Sequence, residues 1–345
     1  MQKLPSVKDL PLENKTVLLR VDYDVPLKEE GQEWIVADDS RITESLPTIN
    51  YLLEQKAKVI LLSHLGRPEG KTDPKLSLKP VAKCLGQFLK REVLLITDLT
   101  KIEGQDLVML ENLRFWPEEE NNNLAFAKKL ASLGDFYIND AFACMHRAHT
   151  SIVGLPHFLT SAFGFDSLEE IEVLSGLKNN PSRLVTLILG GAKVDKLEVI
   201  EELLNWADNI LIGGKLPQLI KQSYPDKVTI ADLNAEGKDI TLETINKFKE
   251  IIAKSGTIIW AGPMGVFEEE AFQKGTEEIA RALSQSQAYK VIGGGDTEAA
   301  LTKFNLIEKI DFVSSGGGAM FEFLAQGTLP GIEAIINNEK FQTNL

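Results

Sequence analysis

The chain has 345 residues, a formal net charge of −13, and 43% hydrophobic against 25% charged residues, which suits a soluble globular protein with room for two domains. The acidic balance argues against a non-specific nucleic-acid binder, and no run of the sequence is long and apolar enough to span a bilayer. Met1 is followed by Gln2, Lys3, Leu4 and Pro5 rather than an apolar signal segment. Two cysteines, Cys84 and Cys144, form neither a disulfide framework nor a metal cluster, so a cytoplasmic protein with reduced thiols is expected.

Along the first half, β-rich runs occur at "TVLLRVD" (16–22), "KVILLSH" (58–64), "VLLIT" (93–97), "LVMLEN" (107–112) and "FYINDAF" (136–142). Helix-period stretches at 44–57 and 124–133 separate several of them. A long amphipathic stretch, 161–182, ends in turn residues and marks the expected join between domains. The second half repeats the habit with "RLVTLILGG", "NILIGG", "KVTIAD", "GTIIWAG", "KVIGGG" and "DFVSSGG", and with helical stretches at 196–207 and 242–254. Strands alternating with helices imply parallel sheets covered on both faces. The reading is α/β: two doubly wound, Rossmann-like domains joined by a hinge helix with a cleft between them. The expected bounds are 1–160, a hinge at 161–182, and 183–328, with 329–345 packing back on the first domain.

The strand ends differ between the halves. "RVDYD", "SHLGRP", "ENLRF" and "NDAFACMHRAH" place Asp, His and Arg beyond strand ends of the first half, and six of the eight arginines precede residue 150. The second half ends its strands in glycine instead, twice in triplets at 293–295 and 316–318. A turn needs one glycine for positive φ, so a triplet opening a helix suggests close approach of an anion to bare backbone. Ligands of open α/β sheets lie beyond the carboxyl ends of the strands. A cationic edge and a bare-backbone edge are what two phosphorylated molecules would require.

Motif spacing narrows the chemistry. "LGGAKVDK" lacks Walker spacing, protein-kinase signatures are absent, and no G-x-G-x-x-G joins a strand to a helix. Asp296, closing the first triplet, suits either a helix N-cap or a nucleotide-bound Mg²⁺. His146 and His149 are spaced i, i+3, but with Arg147 between them and no third ligand they read as structural or anion-lining rather than metal-binding.

In order, "LLRVDYDVPL", "DDSRI", "SHLGRP", "ENLRF", "NDAF…HRAH", "LGGAKV", "WAGPMGVFE", "GGGDT" and "SSGGGA" resemble the phosphoglycerate kinase family over nearly the whole chain. The resemblance implies a first domain holding 3-phosphoglycerate and a second holding ATP or ADP with Mg²⁺, in reversible transfer that also involves 1,3-bisphosphoglycerate. By motif, Asp22, Asp24, Arg41, His64, Arg67, Arg114 and Arg147 fall at the phosphoglycerate site. Gly191, Ala192, Lys193, Lys196, Gly213, Pro263, Glu268, Gly293, Gly294, Gly295, Asp296 and Thr297 fall at the nucleotide site, Asp296 as the metal ligand. Arg41, Lys193, Gly317 and Gly318 fall where the transferring phosphoryl group is stabilised. The resemblance also implies a cytoplasmic monomer without nucleic-acid or membrane partners.

The chain departs from the family pattern in several places. Asp24 replaces an asparagine, Ala261 replaces the asparagine of "WNGP", and the spacing from Lys193 to Lys196 is one residue short, which on a helix rotates Lys196 by roughly 100°. A second reading is therefore a non-catalytic binding protein with an impaired nucleotide site. Retention of Arg41, Lys193, Asp296 and both triplets favours the enzyme.

Overall fold

A computed structural model of the chain describes residues 3–31, 33–99 and 105–338. The chain divides into two compact units, which among the described residues are 3–172 with 329–338, and Val173–Thr328.

The first unit holds strands β1 (Thr16–Val21), β2 (Leu27–Glu30), β3 (Glu33–Val36), β4 (Lys58–Leu62), β5 (Leu94–Ile96), β6 (Leu107–Leu110), β7 (Phe136–Asp140) and β8 (Thr160–Phe163). Six of them form a parallel sheet in the order β5-β6-β4-β1-β7-β8, and β2 and β3 make a separate antiparallel hairpin. The second unit holds β9 (Val185–Leu189), β10 (Asn209–Ile212), β11 (Val228–Ile230), β12 (Thr257–Ala261), β13 (Tyr289–Gly293) and β14 (Phe312–Ser314), ordered β11-β10-β9-β12-β13-β14 and parallel throughout. Numbered within the unit this is 3-2-1-4-5-6, the doubly wound order.

The central strands β1, β4, β9 and β12 are buried along almost their whole length, as a sheet covered on both faces requires. Helices supply the covering faces. In Leu242–Ile252, Ile245, Phe248 and Ile252 turn inward at helical spacing, and the Thr241 side chain caps the first turn by accepting from the Thr244 N–H.

All eleven strands expected from the sequence are present. The structure adds β8 and the β2–β3 hairpin. β8 overlaps the start of the stretch read as the join, and its four residues are too few to show an alternation. The charged "LKEE" of β2 is mostly exposed and carries no β signal. The helix Phe165–Asn179 follows β8, and the boundary between the units falls inside it.

Each sheet has a point where chain order, having run down to the unit's first strand, turns upward again. In the first unit it lies between β1 and β7, and in the second between β9 and β12. The carboxyl ends of those strand pairs are where a doubly wound sheet holds its ligand.

Candidate active site

At the first reversal point β1 is followed by Asp22 and β4 by Ser63 and His64. The segments after β6 and β7 bring Arg114, Cys144, Arg147 and His149. Arg41 Nη1 donates to Asp22 Oδ2 at 2.6 Å, and this carboxylate is the main reason the guanidinium pKa is raised. Asp24 Oδ1 accepts from the Gly66 N–H at 2.8 Å, while its Oδ2 lies 3.9 Å from His64 Nε2. Asp24, which the sequence presents as an added negative charge beside an anion, thus ties down the loop after β4. Arg114 Nη1 donates to the Gly66 carbonyl at 2.7 Å, and its Nε lies 3.4 Å from Glu120. Arg67 and Arg147 are exposed.

Burial, followed by the charges of Arg20, Arg114 and Arg41, holds the His64 pKa well below the ordinary histidine value. Burial, followed by the charges of Arg114, Arg20 and Arg147, brings His149 down to about 3. Both imidazoles are therefore neutral at physiological pH.

The donor atoms of Asp22, His64 and Cys144 lie within 4.8 Å of one another. This thiol, imidazole and carboxylate set does not suit Mg²⁺, which takes oxygen ligands. Arg41 already engages Asp22, and Arg20 Nη2 sits 3.1 Å from His64 Nδ1. Burial pushes the Cys144 thiol up to about 12. So many cations beside these strand ends suit an anion with carboxylate or phosphate oxygens.

Three buried residues that the sequence does not single out underlie this cluster: Arg20, Glu119 and Ser151. Their only sequence signal is a charged residue inside an apolar strand run, "LLRVD", and a lone Glu in an acidic run. Neither suggests a partner more than thirty residues away.

At the second reversal point three glycine-rich ends are tied together. Gly190 N–H donates to the Ala261 carbonyl at 2.9 Å, Gly191 N–H to the Pro263 carbonyl at 2.8 Å, and Lys215 N–H to the Gly191 carbonyl at 2.9 Å. Gly213 packs so closely on Met264 that a Cβ there would lie 2.6 Å from the sulfur. Lys196 Nζ donates to the carbonyls of Gly190 at 2.9 Å and Ala261 at 3.0 Å, at the carboxyl ends of β9 and β12. Ala192 and Lys193 are exposed and precede the short helix Asp195–Glu198. The rotation expected from helical spacing therefore does not apply, because Lys193 lies outside the helix.

The triplets divide their work. Gly293 and Gly317 pack on each other: a Cβ on Gly317 would lie 2.8 Å from the Gly293 carbonyl oxygen and 2.9 Å from the Ala261 Cβ. Gly294 has φ +86°, a conformation that favours glycine. Gly295 faces open space and, with the exposed Asp296, opens the helix Gly295–Lys303. Gly317 and Gly318 begin the helix Gly317–Gln326, whose N-terminal N–H groups form a second anion-attracting end. Thr297 is fully buried, and its hydroxyl accepts from Gly262 N–H at 2.7 Å and donates to the Gly293 carbonyl at 3.1 Å, joining β12 to β13. Glu268 is exposed.

The sequence profile of the phosphoglycerate kinase family matches residues 7–231 and 219–327. The chain belongs to the phosphoglycerate kinase family. It is similar to the phosphoglycerate kinases of Finegoldia magna, at 41% identity over 96% of this chain and 98% of that protein, and of Pseudothermotoga lettingae, at 40% over 99% and 100%. Among solved structures it is similar to phosphoglycerate kinase from Coxiella burnetii (TM-score 0.78, 34% identity, 97% of this chain and 99% of that one). It is also similar to the Pyrococcus horikoshii enzyme (TM-score 0.83, 29% identity, 98% and 100%). The alignment to the Finegoldia protein runs over 392 positions against 345 residues here, so that relative carries segments this family member lacks.

Proposed function

We propose that the chain catalyses reversible phosphoryl transfer between ATP and 3-phosphoglycerate, giving ADP and 1,3-bisphosphoglycerate, as glycolysis and gluconeogenesis use it. The observation that carries this reading is chemical contrast on one fold. One doubly wound sheet ends in fixed cations, and the other ends in glycine amides and lysines. Each set lies where its own strand order reverses.

Arg41, Arg67, Arg114 and Arg147 hold the phosphate and carboxylate of 3-phosphoglycerate, and Asp22 fixes the Arg41 fork. His64 adds a neutral hydrogen-bond donor, and Asp24 holds its loop in place. The nucleotide lies across Gly191, Ala192, Gly213 and Pro263, with its phosphates towards Lys193, Lys196, Gly293, Gly294 and Gly295. Thr297 shapes that end through the backbone rather than by touching the nucleotide, and Glu268 is placed to meet the ribose.

In transfer, a carboxylate oxygen of 3-phosphoglycerate attacks the γ-phosphorus while the bond to the ADP oxygen breaks. No proton moves, so no acid–base pair is needed and the work is alignment and charge stabilisation. Arg41 and Lys193 supply cations, and Gly317 and Gly318 supply backbone N–H donors, to the group in flight. Asp296 fits Mg²⁺: it is an exposed, hard oxygen donor at a helix start beside open backbone. When bound with the nucleotide, Mg²⁺ neutralises phosphate charge.

A cytoplasmic monomer is the form this reading expects. No described helix is long and apolar enough to cross a membrane. The relatives all bear the enzyme's name, and nothing favours a non-catalytic binding protein. A coupled assay with 3-phosphoglycerate and a panel of nucleoside triphosphates tests the proposal. Mg²⁺-dependent ADP formation that needs 3-phosphoglycerate is expected. Binding of 3-phosphoglycerate without turnover on any triphosphate would overturn the reading.

A further inference from the structure

We infer that Arg20 is a positioning residue of the acceptor site, fixing His64 as the neutral tautomer that carries its proton on Nε2. The inference rests on the acceptor-site reading above only for its consequence in catalysis.

Arg20 lies in β1 and is 1% exposed. Its guanidinium donates from Nε to Ser151 Oγ at 3.0 Å and from Nη1 to the Val21 carbonyl, and Nη2 stands 3.1 Å from His64 Nδ1. A guanidinium has five donors, no acceptor, and is always charged in proteins. Against it Nδ1 can only accept, and a neutral imidazole accepting at Nδ1 carries its hydrogen on Nε2. Protonating Nδ1 would break that bond and bury two cations side by side.

The other groups facing His64 pull in both directions. Asp22 Oδ1 lies 3.9 Å from Nδ1 and Asp24 Oδ2 lies 3.9 Å from Nε2, and both carboxylates favour a charged ring. Burial, Arg20, Arg114, Arg41 and His149 oppose it and prevail.

Arg20 is itself held. Ser151, which accepts from its Nε, donates from its backbone N–H at 2.9 Å and from its hydroxyl to Glu119, a carboxylate only 1% exposed. All four groups of Glu119–Ser151–Arg20–His64 are buried, and donation runs outward from Arg20, through Ser151 to Glu119 on one side and to His64 on the other. The product is an Nε2–H on the Asp24 side of the ring, a donor to an anionic oxygen that stays neutral through the working pH range.

The test is ¹⁵N NMR of the imidazoles in substrate-free protein between pH 8 and 5, with steady-state kinetics on the same samples. The intact chain should show His64 with bare Nδ1, protonated Nε2 and no titration over that range. In Arg20→Met the ring should lose its tautomer preference, while burial, Arg114 and Arg41 still hold its pKa below the ordinary histidine value. KM for 3-phosphoglycerate should rise about tenfold, in line with loss of one charge-assisted hydrogen bond, with a smaller change in kcat. Arg20→Lys, which keeps a charged donor, should restore part of the preference. If Arg20→Met does not fold, the intact chain and Ser151→Ala decide, the latter expected to mix the tautomers. A proton on Nδ1 in the intact chain, or titration near 6.5 there, overturns the inference, as does an unchanged tautomer in a folded Arg20→Met. His64→Ala with unaltered KM for 3-phosphoglycerate would sink the acceptor-site reading instead, and leave the tautomer result standing.

Discussion

Lys193 and Lys196 stand three positions apart, and the start of a short helix between them sends their side chains to different environments. Lys196 donates to two carbonyls at strand ends, so removing it takes a buried donor from Gly190 and one of two donors from Ala261, as well as removing charge. Lys193 is exposed and serves no such structural purpose. Lys193→Ala should therefore lower kcat by on the order of a hundredfold with little change in ATP affinity or melting temperature. Lys196→Ala should lower the melting temperature as well, by the equivalent of about 1–3 kcal/mol. Parallel kinetics and thermal melts on the two variants check the contrast, and equal loss of stability in both would refute it. Asp24 gives a second residue-scale outcome. Asn at 24 keeps an oxygen for the Gly66 N–H while removing a negative charge near the anion, so Asp24→Asn should lower KM for 3-phosphoglycerate a few-fold. Asp24→Ala, which also frees the loop, should not. A raised KM in Asp24→Asn would show that the charge itself is needed. The arginines at strand ends were legible because charged residues after β-rich runs have few other uses. Arg20, Glu119 and Ser151 were not, because their purpose is each other and the chain brings them together from positions 131 and 32 residues apart.

Among elements, the two glycine triplets show what sequence could and could not assign. Their place between strand and helix was visible, as was their suitability for an anion. Invisible was that Gly293 and Gly317 face each other across neighbouring strand ends, because only the β13–β14 pairing creates that contact. The same junction includes Ala261, whose Cβ would lie 2.9 Å from a Cβ on Gly317. The start of the helix Phe165–Asn179 carries another consequence. Asp140, at the end of β7, accepts from the Ser167 N–H at 3.1 Å, and burial pushes its pKa up to about 6. Burial, then Asp140 and Glu170, holds Asp166 well above the ordinary aspartate value. A carboxyl whose folded pKa is raised contributes its stability below the unfolded value of about 3.9, and loses it as pH rises through the folded value. At neutral pH the ionised Asp140 is thus a cost. Asp140→Asn keeps an oxygen for Ser167 and should stabilise the protein by about 2 kcal/mol at pH 8, about half that at pH 5, and not at all near pH 3. Urea titrations across that range measure it. A gain that is independent of pH would show that packing, not charge, sets the cost.

For the whole molecule, alternation of strands and helices was enough to name the class and to count two sheets, since a buried parallel sheet leaves β-rich runs in the text. Strand order was not, because β1 sits between β4 and β7, and its register with β7 pairs Val17 with Phe136, a juxtaposition no local pattern encodes. Order is what turns scattered Asp, His and Arg into one site at a reversal point. It also concentrates cations locally on a chain whose net charge is −13. An anion approaching such a protein is repelled by the whole and attracted by one edge, and the two effects respond differently to salt. In the proposed site Arg67 and Arg147 would meet the anion from exposed positions open to salt, whereas Arg20 and Arg41 stand in buried or half-buried positions. Raising ionic strength from about 0.05 to 0.5 M shrinks the screening length from roughly 14 to 4 Å, so it weakens the exposed pair much more than the buried pair. KM for 3-phosphoglycerate should rise several-fold over that range, while kcat at saturation, which depends on groups in contact with the substrate, changes less. Arg67→Ala should raise KM at low salt and flatten its salt dependence, because the screened contribution has already been removed. A salt dependence as steep in Arg67→Ala as in the parent would mean that the attraction comes from the buried cations, and that Arg67 does not meet the substrate.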